Sequence, residues 1–299
     1  MIDEADRMME NIAQDWLNIL ESAVYQGSRT RPGQLTAATA NIPAVPLQKL
    51  LFSATLSHDP EQLEQLNLFE PKLYRCVVPT DGTYGATGTE AATQSLPTSL
   101  TQLYTIVIKN DKPLAVHHIL KEKKMKKVLV FTHNNETVHR LALLLANLGH
   151  KVGELHSQVV GRKKVLNNLS KGVFNVVVCS DVVARGIDLE DLDAVISYDV
   201  PAFVKTYIHR VGRTARAGKE GTAVTLCEEN RVKQFQKMLK DSSIAGVQEF
   251  PVSSQDLEKY SDKYAESLDK VKEQLQQEVS NPVKNGDQQK KNKFFRKKK

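Results

Sequence analysis

Cysteine is scarce in this chain of 299 residues: there are three, Cys76, Cys179 and Cys227, far apart and in no pairing pattern. That usage suits a reducing compartment and excludes a disulfide framework or a cysteine-based zinc site. No apolar run approaches the roughly 20 residues that a membrane-spanning helix requires. The first residues, MIDEAD, are acidic rather than basic and then apolar, which is not the pattern of a secretory signal. What is present is ordinary for a globular protein: 40% hydrophobic and 25% charged residues, with length enough for one large or two medium domains. The net charge of +6 and pI near 9.0 mildly favour a polyanionic partner.

The pattern changes along the chain. Met8, Ile12, Trp16, Ile19 and Leu20 recur at helical spacing and predict an amphipathic helix from Asp3 to Tyr25. A loose Gly/Pro/Ala/Thr stretch follows to Pro46, then a short apolar run, LQKLLFS, suited to a buried strand. A helix is expected from about Asp59 and a strand from Lys72 to Val78. The stretch from about residue 80 to 97 reads as an interdomain linker. Beyond it LTQLYTIVI, KKVLVFTH, NVVVCSD, DAVISYD and GTAVTLC are apolar runs of strand length, several separated by helical patterns. Such alternation predicts an α/β domain with a mostly parallel sheet over residues 98–241. Residues 242–299 are expected to form a charged extension, poor in apolar residues from Ser253 on and disordered at its basic end.

Three stretches could carry chemistry. Asp3, Glu4 and Asp6 stand behind Met1 and Ile2, which read as the stump of a strand. Adjacent carboxylates at a strand's carboxyl end can hold Mg²⁺ through water and orient a nucleophilic water; equally, acidic residues favour the first turn of any helix. In YIHRVGRTARAG, Arg210, Arg213 and Arg216 recur every third residue, which predicts three guanidiniums on one side of a helix or extended turn. Such groups bind phosphate oxygens in bidentate fashion and neutralise charge on a transferring phosphoryl group; a solvated basic face is the plainer alternative. In SDVVARGIDL, Ser180 ends a strand at the ligand edge and could bond a nucleic-acid phosphate, Gly186 permits close backbone approach, and Asp188 could accept from a ribose hydroxyl. The same residues could also form a turn with a helix cap.

Taken together these segments resemble the DEAD-box ATP-dependent RNA helicases. DEAD is Asp3 to Asp6, SAT is Ser53 to Thr55, VLVFTH spans Val128 to His133, SDVVARGID spans Ser180 to Asp188, and HRVGRTAR spans His209 to Arg216. The segments SATLSHDPEQLEQLNLFEPKLY and YDVPAFVKTYIHRVGRTARAG look most like the subgroup linked to large-ribosomal-subunit biogenesis. The resemblance implies two RecA-like domains closing on ATP, Mg²⁺ and single-stranded RNA, in the nucleus and nucleolus. It implies that Asp3 positions Mg²⁺ through water and Glu4 activates the attacking water. Arg213 and Arg216 would reach the γ-phosphate and Asp188 the ribose. Asp6, Ser53, Thr55, His209 and Arg210 would couple the domains, and Ser180, Arg185 and Gly186 would contact RNA with little sequence preference.

The family's glycine-rich phosphate loop and its upstream glutamine motif are absent from these 299 residues. Residues 1–80 therefore read as the remnant of a first RecA-like domain, unstable alone and expected to be catalytically incomplete, ahead of a linker at 81–97 and a self-sufficient second domain. The alternative function is a non-catalytic module that binds RNA or protein partners. After LH, the stretch SQVVGRKKVLNNL departs from the family pattern: Gln158 is displaced and Arg162, Lys163 and Lys164 cluster instead. The terminal KKNKFFRKKK reads as a non-specific RNA grip, a nuclear address, or a solvating end.

Overall fold

The computed structural model describes residues 96–159, 161–181 and 192–280, and before them 15–27, 47–53 and single positions within 1–8 and 66–74. The chain divides into two compact units, Met1–Gln94 and Ser95–Lys299.

In the first unit, helix α1 (Trp16–Gly27) buries Leu17 against Leu66, with Trp16, Leu51 and Leu68 around them. Ile2 forms a parallel bridge with Leu51: its N–H donates to the Leu50 carbonyl at 2.7 Å, and the Phe52 N–H donates to the Ile2 carbonyl at 2.9 Å. The expected helix from Asp3 to Tyr25 is not continuous. Asp15 sits at φ 56, a left-handed conformation that no α-helix accommodates, immediately before α1. The helix expected from Asp59, most of the strand at 72–78 and the loose stretches at 28–46 and 80–95 fall outside the described residues.

The second unit is a seven-stranded parallel sheet in the order β3-β4-β2-β5-β6-β1-β7. Its strands are β1 (Leu100–Ile106), β2 (Val128–Thr132), β3 (Val152–Leu155), β4 (Val176–Ser180), β5 (Ala194–Ser197), β6 (Gly221–Cys227) and β7 (Val247–Glu249). VLVFT and VVVCS are buried at every position, as strands covered on both faces must be. Alternate residues of each strand serve opposite layers. Leu129 and Phe131 face a core shared with helices α4 (Arg162–Ser170), α5 (Val204–Val211) and α6 (Glu229–Asp241). Val128 and Val130 face α2 (Lys112–Glu122), α3 (Asn135–Asn147) and α8 (Ser261–Ser280). Helix α3 starts where Asn134 accepts from the Thr137 N–H at 2.7 Å.

The domain does not stop at residue 241. β7 pairs with β1, the short helix α7 (Ser254–Glu258) begins in a capping box built from Ser253 and Asp256, and α8 buries Val271 against α3. The domain boundary expected at residue 241 is corrected to this extent. Tyr264, Leu268, Val271 and Leu275 recur every three to four residues and give a charged segment one apolar face. Residues 281–299 lie outside the described residues.

Beneath α7 and α8 lies a histidine pair that sequence reading gave no reason to single out. His117 Nδ1 and His150 Nε2 are 2.8 Å apart, with the Tyr260 ring edge-on to His117 at 4.8 Å. Burial first, then the partner imidazole and the charges of Lys121 and Lys263, hold His117 down at about 4; burial and the same two lysines do the same to His150. A pKa lowered on folding means that the unfolded chain binds the proton more tightly. This contribution is therefore complete above about pH 6.5 and is lost as pH falls toward 4. We expect unfolding monitored by far-UV circular dichroism to show a loss of about 2 kcal/mol by pH 5, removed in a His117→Gln/His150→Gln variant.

Candidate functional site

Ligands of open parallel sheets bind beyond the carboxyl ends of the strands. Here that edge is organised by one guanidinium. β4 ends at Ser180, in register with Thr132 at the end of β2, and both side chains are buried. Asp181 follows β4 directly. Arg210, from the last turn of α5, donates through Nε to one Asp181 oxygen at 2.7 Å and through a terminal nitrogen to the other at 2.7 Å. Its remaining nitrogen donates to the Asp199 carbonyl beyond β5 at 2.6 Å, and the guanidinium lies 5.4 Å from the Phe131 ring centre. Asp199 in turn accepts from the His133 N–H at 2.9 Å. The exits of β2, β4 and β5 are thus tied together around a side chain that is 2% exposed. Burial and then the Asp181 carboxylate push the neighbouring Cys179 thiol far up, so it stays protonated and inert.

Arg213 and Arg216 are separated from that edge. The three arginines do not share one helix face, because α5 ends at Val211 and Gly212 takes its C-cap. Side chains on a helix lean toward its N-terminus. Arg210 therefore points back to the carboxyl edge, while the next two arginines belong to the loop that follows. Arg213 Nε donates to the His209 carbonyl at 3.2 Å and Arg216 Nε to the Gly212 carbonyl at 2.8 Å, so both stems are fixed against the helix end. Ala215, Ala217 and Gly218 have φ of 55, 52 and 77. Two non-glycine residues in that region store strain of about 1 kcal/mol each, which persists only where the surroundings dictate it.

Those surroundings are explicit. Thr214 Oγ1 donates to the Leu192 carbonyl at 2.6 Å, and a Cβ on Gly221 would lie 2.3 Å from Thr214 Oγ1 and 2.4 Å from the Ala215 nitrogen. Only glycine opens β6 beneath this loop. Arg213, Thr214, Ala215, Arg216 and Lys219 line a cavity of about 190 Å³ with Leu192, Asp193 and Glu220. Its three cationic side chains outnumber its two carboxylates, and a guanidinium binds phosphate oxygens in bidentate fashion.

Among the residues singled out from sequence, Ser180, His209, Arg210, Arg213 and Arg216 lie in the second unit and Ser53 in the first. Asp3, Glu4, Asp6, Thr55, Arg185, Gly186 and Asp188 fall outside the described residues. Arg210, grouped with the coupling residues, spends its donors inside the second unit. Asp199, which orders the edge with Arg210, gave no local signal in the sequence.

A parallel sheet with an arginine-organised carboxyl edge and an arginine loop after α5 defines a RecA-like domain of the helicase C-terminal type. Residues 111–218 match the helicase conserved C-terminal domain. The chain is 38% identical over 283 residues to the ATP-dependent RNA helicase DDX51 of Danio rerio, covering 90% of this chain and 42% of that protein. It is 32% identical over 312 residues to the ATP-dependent RNA helicase dbp6 of Schizosaccharomyces pombe, covering 94% and 50%. Among solved structures, S. cerevisiae Dbp5 bound to RNA and ADP BeF3 has a TM-score of 0.56 at 22% identity, over 74% of this chain and 54% of that chain, a likeness of fold. The chain belongs to the DEAD-box RNA helicases. It spans about half the length of these relatives, or somewhat less.

Proposed function

We propose that this chain serves an ATP-dependent RNA helicase that couples RNA-stimulated ATP hydrolysis to RNA remodelling during large-ribosomal-subunit assembly, in the nucleus and its nucleolus. The observation that carries the reading is the Arg213–Arg216 loop, held in a strained conformation beside a cleft by Thr214 and Gly221. Its two guanidiniums fit the phosphates of ATP, and removing such arginines characteristically abolishes phosphoryl-transfer rates. Mg²⁺, when bound, would neutralise charge on the phosphate oxygens. Asp3 is assigned to hold it through water, Glu4 to take a proton from the attacking water, and Asp188 to accept from the ribose. Ser180, Arg185 and Gly186 are assigned to the RNA backbone. Asp6, Ser53, Thr55 and His209 are assigned to coupling the two domains, and Arg210 contributes by setting the position of Asp181.

A second reading has its own support. The second unit has a complete sheet and core, whereas the 299 residues contain no glycine-rich phosphate loop. These residues by themselves are then a non-catalytic module that binds RNA or partners. ATP hydrolysis by the purified chain, with and without single-stranded RNA, decides between them. We expect RNA binding without turnover. RNA-stimulated turnover that disappears in Glu4→Gln would show that the 299 residues suffice for catalysis.

A further inference from the structure

Parallel strands have two ends, and the amino ends of this sheet carry a concentration of lysine that the proposed site does not use. The connection from α2 to β2, residues 121–127, reads KEKKMKK: five lysines against the single carboxylate of Glu122. Lys121, Lys123, Lys124 and Lys126 are exposed, and so is Lys151 at the start of β3. Register fixes their arrangement. Val128, Val176 and Val152 stand side by side at the amino ends of β2, β4 and β3. Lys127 and Lys151 therefore flank Asn175 at one level, about 10 Å apart. Lys263 reaches the same rim from α8, donating to the Leu148 carbonyl at 3.1 Å. Asp193, the nearby carboxylate on β5's side, is committed to the N–H groups of Lys126 and Lys127 at 2.8 and 3.2 Å. Among the described residues none of Lys121, Lys123, Lys124, Lys126, Lys127 or Lys151 has a carboxylate partner; Lys123 lies over the Phe250 ring at 4.8 Å.

Unpaired like charges at such density repel one another and favour association with a polyanion. From this we infer that the amino edge of the second unit is an RNA-backbone contact surface, separate from the carboxyl edge where Ser180 ends β4. Five-residue strands set the two edges about 16 Å apart, so one RNA would be held on both ends of the sheet. The contact is to phosphates and carries no sequence preference. The field of this surface is felt inside the domain, where Lys121 and Lys263 help to keep His117 and His150 neutral.

The inference rests on the RNA-binding part of the proposed function, and the test separates the two. Binding of the full chain to a labelled oligouridine of about 20 nucleotides is measured by anisotropy without nucleotide, between about 50 and 200 mM salt. Combined Lys124→Gln, Lys126→Gln and Lys151→Gln should weaken binding at least about tenfold and reduce the slope of log K against log salt by about 2. Arginine at the same three positions should restore both. In the unaltered chain, bound oligouridine should protect Lys124, Lys126 and Lys151 from acetylation. If the glutamine variant binds as the parent does, or these lysines are not protected, the amino-edge surface is overturned and the helicase reading stands. If the parent chain binds no oligouridine, both fall.

Discussion

Replacing Arg210 by alanine is expected to destabilise the second unit by about 3–5 kcal/mol, the range for leaving one partner of a buried ion pair unpaired. Three losses coincide. The Asp181 carboxylate loses both of its bonds to the guanidinium, the Asp199 carbonyl loses its donor, and the Phe131 ring loses the cation packed on its face. In a unit of this size the melting temperature should fall by about 6–20 °C, measured by calorimetry on the full chain. Arg210→Lys should recover little of it, because one ammonium cannot span two carboxylate oxygens and the Asp199 carbonyl beyond β5. A melting temperature unchanged in Arg210→Ala would show that the strand exits are held by other means.

Ending the chain after Tyr260 should cost about as much, relative to a chain that ends after Ser280. Helix α8 supplies Val271, 3% exposed, to the core beside α3, with Tyr264, Leu268 and Leu275 packed around it. It also brings Lys263 to the open C-terminus of α3 and Glu278 to His139, whose Nε2 it meets at 2.9 Å. Burying one aliphatic side chain is worth about 1.5–3 kcal/mol, and several go together here. Thermal melts of the two truncations decide the matter: equal melting temperatures would mean that α8 is an appendage rather than part of the core.

Both predictions bear on what could be read before the fold was known. The strands VLVFT and VVVCS were legible because doubly covered strands are apolar at every position. β3 and β7 were not, since VGEL and VQE are short edge strands with half-buried faces. Helix α8 carried its signal in the spacing of four residues, but the charge around them dominated the composition. The motif HRVGRTAR was legible as a string, but its three arginines do not share one helix face. Equal spacing of its arginines says nothing of where the helix stops, and Gly212 divides one buried arginine from two in the following loop. Ser180 was placed at its strand end correctly. The pairing of the next residue, Asp181, with Arg210, 29 positions further on, is a long-range fact with no local trace.

The sheet order has a consequence for synthesis. β1 pairs with β6 on one side and β7 on the other, both more than a hundred residues downstream. At about 5–20 residues per second a ribosome takes on the order of 10 s to deliver those partners. Throughout that interval LTQLYTI is an apolar segment with two unmatched edges, and the half-sheet β2-β4-β3 can assemble ahead of it. The nascent chain is therefore most prone to aggregate late in translation, and slowed elongation between β5 and β6 should lower the yield of folded protein more than the same delay placed after Ser280.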